Sequence, residues 1–544
     1  MEPLEPGPRP PAGDTGGRPT PGRDRFDRAL ADLTESQCSA VSCPSDALCI
    51  VAGAGSGKTR VLTLRVARRI LDGSADADRT AVCTFTRKAA HELRGRLVGY
   101  GVPVSTPARP GGVPTPGVRA GTLHQLALTL LRRHAFDARV APPVVVEHRI
   151  GLVQGTLDDQ ATASLVAGEI GWAKSRCLTP EAYAAAASAA GRVVAVDLDR
   201  VAQAFAGYQA ALHRRRALDL DDVLIRAADL LSDDAGFAEG ARWRYRHLSV
   251  DEFQDVNPAQ FRLIRTLLGD GTDLCAVGDP NQAIYGWNGA DPGLLADLPG
   301  LVAGMEVVHL DENHRSTPQV VAAATAALGR SASVLPRSVA PDGPMAVVTA
   351  YDDDAAEVDG VVSLLLERSE AGRPWSEQAV LARTHDQLSA VGRALARAGI
   401  PHRMAVGPET PADEPPPAAP RRDRSAAGGD DRVELATFHR AKGLEWGSVC
   451  VIGLEEGFVP IVYAESAAAR AEERRLLYVA LTRASRELHC SWARSRTLAN
   501  GRAMVRRPSP WLAAVARVSR VGPVRMSRQD ASRRIAEMRA GLAR

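Results

Sequence analysis

Short apolar runs that end in polar residues recur along the first half of the chain. Four of them are "ALCIVAG" (47–53), "TAVCTFT" (80–86), "HLSVDEF" (247–253) and "LCAVGD" (274–279). Amphipathic or alanine-rich stretches with helical periodicity separate these runs. Strands that alternate with helices in this way predict a parallel sheet with helices on its faces and with ligands at the carboxyl ends of the strands.

The pattern changes twice further along the chain. Residues 125–217 show helical periodicity and few strand signals, which predicts a helical insertion. Strand-like runs return near residue 304 and predict a second α/β core, which a Pro-rich segment over 405–431 interrupts. That segment lacks the apolar residues of a core, and as a flexible linker it would span roughly 30 Å. Residues 1–24 are predicted to be a disordered Pro/Gly-rich tail, and residues 516–544 a basic helical tail.

Composition narrows the class of protein. The net charge is only +3, so any contact with nucleic acid must come from local grooves and not from a general basic field. The eight cysteines form no C-x-x-C pair, and Cys49, Cys83, Cys275 and Cys450 lie in apolar runs that predict buried thiols in a reducing cytoplasm. The first residues lack the apolar segment of a signal peptide, and no apolar run approaches membrane-spanning length.

The loop "AGAGSGKT" (52–59) joins the first strand-like run to a helical segment. Its glycines let successive backbone N–H groups turn towards a phosphate, and the helix that follows adds its positive N-terminal end. Lys58 supplies a charge for the β- and γ-phosphates, and the Thr59 hydroxyl can ligate magnesium. The strict pattern begins with Gly where this chain has Ala52. The loop predicts a site for a nucleoside triphosphate.

A pair of carboxylates follows another strand, in "HLSVDEFQD". Asp251 stands just past the apolar run, where it can hold magnesium through water. Glu252 beside it can orient and deprotonate an attacking water. A strand that ends in Asp-Glu is a weak signal alone, but together with the loop it predicts hydrolysis of the bound triphosphate.

Nine blocks occur in order along the chain. They are "LTESQ" (33–37), "AGAGSGKT" (52–59), "TFTRKAA" (84–90), "GTLH" (121–124), "DEFQDVN" (251–257), "VGDPNQAIYGWNGA" (277–290), "DENHRS" (311–316), "TFHRAKGLEW" (437–446) and "LLYVALTRA" (476–484). Together they resemble the UvrD/Rep/PcrA helicases of superfamily 1 over residues 26–515. The resemblance implies an α/β fold with two RecA-like P-loop domains, each with a parallel sheet, and a helical insertion. The domains would be 1A (25–124 and 218–303), 1B (125–217) and 2A (304–404 and 432–515).

In that family ATP and Mg²⁺ bind in a cleft between the two RecA-like domains. The positions that match its catalytic residues are Lys58, Asp251, Glu252, Gln282, Arg315 and Arg483, and the matching magnesium ligands are Thr59 and Asp251. Nucleotide contacts match Gln37, Ala52, Gly53, Ala54, Gly55, Ser56, Gly57, Lys58, Thr59, Arg60, His314 and Glu445. The resemblance implies that Gln37 reads adenine, that Gln282 senses the γ-phosphate and that Glu445 contacts the ribose. The two arginines come from domain 2A, so hydrolysis would depend on closure of the cleft.

The resemblance also implies that single-stranded DNA is bound through its backbone and by stacking of its bases. The matching positions are Thr84, Phe85, Thr86, Arg87, Thr122, His124, Tyr285, Trp287, Thr437, His439 and Trp446. Phe85 fits a core position of a strand equally well, and both interpretations stay open. The expected activity is translocation from 3′ to 5′ on single-stranded or tailed duplex DNA in repair or replication, in the cytoplasm and with repair proteins as candidate partners.

The chain departs from the family pattern at four places. His314 stands where Tyr is usual, and Asn288 stands where Arg is common. The Pro-rich segment 405–431 takes the place of a fourth domain, called 2B in the family. Residues 490–511 resemble the strand-separating hairpin, whose tip is often aromatic but here aligns with Ala499. These departures bear on duplex unwinding and nucleotide affinity more than on hydrolysis.

Three alternatives remain beside a helicase. The protein could be an ATPase that strips proteins from single strands without opening duplex. It could be a nucleotide-switched interaction module, although the intact Asp251–Glu252 pair and both arginines argue against that class. RNA could replace DNA, because backbone and stacking contacts do not select the sugar.

Overall fold

The computed structural model describes residues 21–106, 115–155, 160–269, 273–329, 334–405, 431–497 and 501–522. The helices within these ranges are α1 Pro21–Ala31, α2 Glu35–Ser42, α3 Lys58–Leu71, α4 Arg87–Gly99, α5 Leu123–Asp137, α6 Ile150–Gln154, α7 Gln160–Ser175, α8 Pro180–Ala189, α9 Leu198–Arg214, α10 Leu220–Asp233, α11 Ala235–Arg244, α12 Pro258–Leu268, α13 Gly293–Leu301, α14 Pro318–Leu328, α15 Asp354–Glu370, α16 His385–Arg397, α17 Ala467–Leu481 and α18 Leu512–Arg517. The strands are β1 Ala47–Ala52, β2 Thr80–Thr84, β3 Arg119–Thr122, β4 Val144–Val146, β5 Ala217–Asp219, β6 His247–Val250, β7 Asp273–Gly278, β8 Glu306–Leu310, β9 Glu312–Asn313, β10 Arg337–Ser338, β11 Val347–Tyr351, β12 Gln378–Ala382, β13 His402–Met404, β14 Val433–Thr437, β15 Trp446–Val451, β16 Ala484–Ala493, β17 Ser495–Thr497, β18 Ala503–Val505 and β19 Arg520–Val521.

The first sheet has the strand order β3-β2-β6-β7-β1-β8, and every neighbouring pair is parallel. All residues of β2 and β7 are buried, as expected of central strands covered by helices on both faces. Because the strands are parallel, their carboxyl ends meet at one edge of the sheet. The P-loop after β1, Asp251 after β6 and Asp279 after β7 therefore lie at the same edge.

The second sheet has the strand order β13-β14-β12-β15-β16-β11-β19, again with parallel pairs throughout. Its helices include α14 and α17, which pack against each other and contribute side chains to the sheet's main hydrophobic cluster. Two parallel sheets with helices on their faces confirm the predicted α/β fold with two RecA-like domains. Cys49, Cys83, Cys275 and Cys450 are buried and free, as predicted from their apolar surroundings.

Two of the predicted domain boundaries are wrong. The run "MEVVHL", predicted to begin the second core at residue 304, forms β8, which pairs with β1 in the first sheet. The helical insertion was predicted from residue 125, yet α5 packs its leucines, including Leu126 and Leu130, into the hydrophobic cluster of the first sheet. A strand pattern shows that a strand exists but not which sheet accepts it, and a helical pattern does not show which core a helix covers.

The helical insertion has a hydrophobic cluster of its own, formed by residues from Leu152 to Ala217 on α6, α7, α8 and α9. A buried ionic group connects this cluster to the first domain. Lys174 on α7 lies 2.8 Å from Asp219 and 2.6 Å from Asp222, at the start of α10. Because α10 packs on α5 and α12, these ion pairs fix the insertion to the first domain.

The ends of the chain differ from the prediction where they are described. Helix α1 begins at Pro21, inside the segment predicted to be a disordered tail. Helix α18 ends at Arg517, and β19 follows it and joins the second sheet, so this core continues beyond residue 515. Most of the predicted linker (406–430), the predicted hairpin tip Ala499 and the tail from residue 523 lie outside the described residues.

Candidate nucleotide site and nucleic-acid interface

The P-loop is shaped by glycines and held by the segment after β8. Gly55 and Gly57 have φ values of +72° and +81°, which glycine adopts without strain. A Cβ atom on Gly55 would lie 2.8 Å from the side chain of Asn313, whose Nδ2 donates to the carbonyl of Ala54 at 2.7 Å. The N–H of His314 donates to the carbonyl of Gly55 at 3.0 Å. The "DENHRS" block therefore supports the loop from the side of the second domain.

Gln37 is fixed against the same loop. Its Nε2 donates to the carbonyl of Ser56 at 2.9 Å, and its Oε1 accepts from the N–H of Thr34 in the cap of α2. The side chain is buried. An amide has two donor hydrogens and two acceptor lone pairs, so each end of Gln37 keeps one further hydrogen bond for an adenine edge.

The residues predicted to hold magnesium lie together. The Thr59 hydroxyl donates to Oδ2 of Asp251 at 3.0 Å, at the junction of α3 and the carboxyl end of β6. Lys58 Nζ lies 3.8 Å from Oδ2 of Asp279, a fully buried carboxylate that also accepts from Gln282 Nε2 at 2.5 Å. A hydroxyl beside a carboxylate offers the hard oxygen donors that Mg²⁺ prefers, and such sites leave other positions for water and phosphate. The donor set fits the ion.

The two neighbouring carboxylates differ in charge. Burial by itself raises the pKa of Glu252, but the positive charges of Lys58 and Lys442 outweigh burial and lower it to about 2. Burial and the nearby Glu252 raise the pKa of Asp251 to about 6. Glu252 is therefore ionised at neutral pH, which is the state that a base for water requires. Its backbone has a φ of +54°, an uncommon value for a residue other than glycine.

Arg483 reaches this site from the second domain. Its buried guanidinium donates to the carbonyls of Val479 at 2.9 Å and Leu444 at 3.1 Å. Burial and the neighbouring Arg315 lower the pKa of Arg483 to about 9, and its charge in turn helps to keep Glu252 ionised. The charges of Lys58 from the first domain and Arg483 from the second both lower the pKa of Glu252. The three side chains therefore face one common cleft between the domains.

Arg315 and Glu445 also meet at the cleft. Nε of Arg315 lies 2.5 Å from Oε2 of Glu445, so the predicted arginine and the predicted ribose contact form an ion pair. His314 lies beside them with its ring about one third exposed and 3.8 Å from Glu312. Arg60 is turned away, since its guanidinium donates to the carbonyl of Ala29 at 3.0 Å. The structure therefore brings together the predicted nucleotide contacts except Arg60, which holds α1.

A buried ion pair that the sequence analysis missed crosses the seam between the domains. Lys442 Nζ lies 2.5 Å from Oδ2 of Asp255 and donates to the carbonyl of Gln282 at 2.8 Å. Burial raises the pKa of Asp255 to about 7, although Lys442 opposes that rise. Both residues stand inside blocks already recognised, "DEFQDVN" and "TFHRAKGLEW". Their position in those blocks was the only signal of their role.

Aromatic rings from both domains form a row beside the cleft. Phe85 stacks on Tyr285 with ring centroids 5.3 Å apart and planes 16° apart. Trp287 follows at 6.4 Å from Tyr285, and His439 of the second domain lies 6.3 Å from Trp287. Phe85 is 37% exposed and Trp287 53% exposed, so the core interpretation of Phe85 is wrong. We call these four residues the aromatic row.

The remaining predicted DNA contacts divide into surface and buried positions. Arg87 is exposed, while the hydroxyls of Thr86 and Thr122 cap α4 and α5. His124 is half-buried, and burial lowers its pKa to about 4, so it is neutral at physiological pH. Buried side chains are found at Thr84, Thr437 and Trp446. Trp446, only 4% exposed, packs in the hydrophobic cluster of the second sheet, so its side chain is not on the surface where the resemblance implied a DNA contact.

The described residues lack a metal-binding cluster and a membrane-spanning helix. None of their His, Cys, Asp and Glu side chains forms a group of three or more that could hold a metal ion. None of their helices combines the length and the apolar character needed to cross a membrane.

Comparison with known proteins gives consistent matches along the chain. The model of the UvrD/REP helicase N-terminal domain matches residues 33–300, and that of the UvrD-like helicase C-terminal domain matches residues 420–495. The chain is 32% identical to "ATP-dependent DNA helicase UvrD2" of Mycobacterium tuberculosis, across 92% of this chain and 83% of that protein. It is 30% identical to "DNA helicase II" of Escherichia coli across 70% of this chain and 52% of that protein, and 30% identical to "ATP-dependent DNA helicase PcrA" of Leuconostoc citreum across 69% and 50%. These matches show that the chain belongs to the UvrD/Rep helicase family.

Proposed function

We propose that this protein hydrolyses ATP to move along single-stranded DNA from 3′ to 5′ and to separate duplex DNA, in repair or replication. The observation that carries the proposal is the position of Glu252. It is an ionised carboxylate, and the charges of Lys58 from the first domain and Arg483 from the second both lower its pKa. The printed names of the relatives, ATP-dependent DNA helicases, support the choice of ATP and DNA.

The site residues divide the chemistry of hydrolysis. Thr59 and Asp251 would hold Mg²⁺, which would offset negative charge on the phosphates. Glu252 would orient the attacking water and accept its proton, because its carboxylate is ionised at neutral pH. Arg315 and Arg483 would exchange protein acceptors for phosphate oxygens as the cleft closes, and a guanidinium there stabilises the charge of the transferred group.

The aromatic row connects this chemistry to movement. Phe85, Tyr285 and Trp287 belong to the first domain and His439 to the second, so opening of the cleft changes the spacing of rings on which bases stack. Gln282, the proposed γ-phosphate sensor, lies three residues before Tyr285, so sensor and stacking surface would share one short segment. Movement is directional if the two domains hold the strand with different strength in the open and closed states.

The first experiment measures ATP hydrolysis with and without single-stranded DNA. The wild type should hydrolyse ATP faster with DNA, and Lys58→Ala and Glu252→Gln should abolish turnover. DNA-stimulated hydrolysis that persists in either variant would refute the assigned site. Strand displacement from duplexes with a 3′ or a 5′ tail then tests direction, and displacement that requires the 5′ tail would refute the proposed polarity.

A second candidate function is translocation that strips proteins from DNA without opening duplex. It is favoured by the direct pairing of β13 with β14, because the residues between these strands, 405–432, are too few for a domain of ordinary size. A translocating protein that removes a bound protein from a single strand but fails to displace a strand would support this candidate. Hydrolysis stimulated by RNA as strongly as by DNA would move the substrate class to RNA.

A further inference from the structure

Helix α17 makes a second set of contacts across the seam, away from the phosphate site. Arg475, in the middle of this second-domain helix, donates from Nε to the carbonyl of Ala283 in the first domain at 2.7 Å. The adjacent carbonyl, that of Gln282, accepts from Lys442 at 2.8 Å. Two cations of the second domain therefore hold consecutive peptide groups just after the γ-phosphate sensor.

Glu472, one turn earlier on α17, holds the next part of the same segment. Its carboxylate lies against the backbone of Gly286, and burial raises the pKa of Glu472 while the backbone N–H groups of Trp287 and Gly286 oppose that rise. The lack of a side chain at residue 286 is a second, independent sign of this approach. A Cβ atom built on Gly286 collides with the Glu472 carboxylate. The chain thus keeps space at this position for an acceptor that comes from the other domain.

These contacts all fall on one short segment of the first domain, which carries both the proposed γ-phosphate sensor and the rings proposed to stack on bases. The segment runs from Gln282 to Trp287, and it carries Tyr285 and Trp287 of the aromatic row. The same helix leads towards Arg483 at its carboxyl end. At a rise of 1.5 Å per residue, Glu472 is about 14 Å along the helix from its last residue, Leu481, and Arg483 follows two residues later, with its Nε donating back to the carbonyl of Val479.

We infer that Glu472 and Arg475 are positioning residues that transmit closure of the cleft to the aromatic row. When Arg483 moves relative to the phosphates, α17 moves as a unit, and the two side chains displace the backbone of residues 283–287. Their contacts across the seam are with the backbone of this segment, Arg475 with Ala283 and Glu472 with Gly286, so each acts through that segment. The inference rests on the proposed function, because it assumes that hydrolysis responds to DNA.

The test compares the ratio of ATP turnover with and without saturating oligo-dT in matched variants. Glu472→Ala and Arg475→Met should lower this stimulation ratio about fivefold or more, in the range of ordinary coupling between sites, while KM for ATP stays within about twofold. Glu472→Gln should retain more stimulation than Glu472→Ala, because its amide oxygen still accepts from an N–H. Gly286→Ala should also lower the ratio, since the new methyl group displaces the carboxylate.

Arg474→Met is the matched control. Arg474 is the neighbouring residue on α17 and donates from Nε to the carbonyl of Ala327 at the same 2.7 Å, but Ala327 belongs to α14 of its own domain. This variant should keep the wild-type ratio. An equal loss in Arg474→Met would show that any weakening of α17 has this effect, and would overturn the inference. A wild-type ratio in Gly286→Ala and Glu472→Ala would also overturn it.

The outcomes separate this inference from the proposed function. If the wild type itself shows no stimulation by DNA, the proposed function fails before the variants are compared. If the wild type is stimulated and the variants are stimulated equally, only the role of Glu472 and Arg475 is refuted. Thermal unfolding of each variant identifies one that fails to fold, and Arg475→Met with its matched control Arg474→Met then carries the comparison.

Discussion

Trp287 should be the member of the aromatic row on which single-stranded DNA depends most. Stacked bases lie about 3.4 Å apart, so a base between two parallel rings needs about 7 Å between their centroids. Phe85 and Tyr285 are 5.3 Å apart and nearly parallel, which leaves no room for a base between them. Trp287 is 6.4 Å from Tyr285 and 6.3 Å from His439, and about half of its surface is exposed. A base can reach Trp287 with little movement of its neighbours.

The substitution Trp287→Ala therefore removes a stacking surface. Stacking of a base on an aromatic side chain contributes about 1–3 kcal/mol, which corresponds to a loss of affinity of roughly 5- to 150-fold. Phe85→Ala should lower the affinity for DNA by a smaller factor, because Phe85 stacks on Tyr285 and only its outer face is open to a base. The assay is fluorescence anisotropy of labelled oligo-dT, without nucleotide and at one fixed salt concentration, because affinity for DNA varies steeply with salt.

Two variants serve as controls for this measurement. Trp243→Ala removes a tryptophan that is 57% exposed, close to the 53% of Trp287, but that lies beneath the guanidinium of Arg79 on the first domain, outside the aromatic row. Its affinity for DNA should be unchanged. Trp287→Phe keeps an aromatic face and should retain most of the affinity. A change below about twofold in Trp287→Ala, or a larger loss in Phe85→Ala, would refute the assignment of the base to Trp287.

Three further predictions concern other parts of the molecule. His314→Tyr should tighten ATP binding, because a phenol ring offers a larger stacking face than an imidazole; equal affinities in a fluorescent-analogue titration would refute this. Burial raises the pKa of Asp255 to about 7 against the opposing charge of Lys442, so folding takes up a proton at this carboxyl. The stability that protonation of Asp255 contributes is fully present below about pH 4 and is lost as the pH rises through about 7. Between pH 6 and 8, the unfolding free energy of the wild type should therefore fall by about 1.4 kcal/mol relative to that of Asp255→Asn. Denaturant titrations at both pH values check this, and parallel curves would contradict it. Lys174→Met removes the buried cation that pairs with Asp219 and Asp222, while Arg149 still pairs with Asp219 at 3.3 Å, so the variant should lose about 1–3 kcal/mol of unfolding free energy in thermal or denaturant unfolding, whereas Lys88→Met, at an exposed lysine, should lose almost nothing.

The local parts of the nucleotide site were predictable from the sequence because their chemistry is local. The P-loop needs glycines at positions of positive φ, and Gly55 and Gly57 have them. Asp251 follows a strand because a carboxylate at the carboxyl end of a parallel strand lies beside the loop of its neighbour. These residues carry their own signal, since the backbone conformation and the short apolar runs restrict which residue types can stand there.

Pairings between distant residues were not predictable in this way. Lys442 and Asp255 are separated by 187 positions, and no periodicity links them. Strand β8 has the pattern of any half-buried strand, so its place beside β1 depends on the edge that the first sheet leaves free. Trp446 shows the opposite error. An aromatic residue in a block of DNA contacts suggested an exposed stacking ring, but the start of β15 turns it into the core.

The composition of the seam explains how the two domains can separate in every cycle of hydrolysis. The apolar contacts across it are few. Among the described residues, Ala54 and Ile284 of the first domain join the hydrophobic cluster of the second sheet, and Tyr285 packs against it. Buried polar contacts also cross the seam, such as the Lys442–Asp255 pair. A buried ion pair loses in desolvation much of what it gains in attraction, and on opening both partners recover their hydration. The open and closed states can therefore lie within a few kcal/mol of each other, a difference that binding of a triphosphate can reverse. A seam packed mainly with apolar side chains would favour the closed state by the full hydrophobic area and would hold the cleft shut.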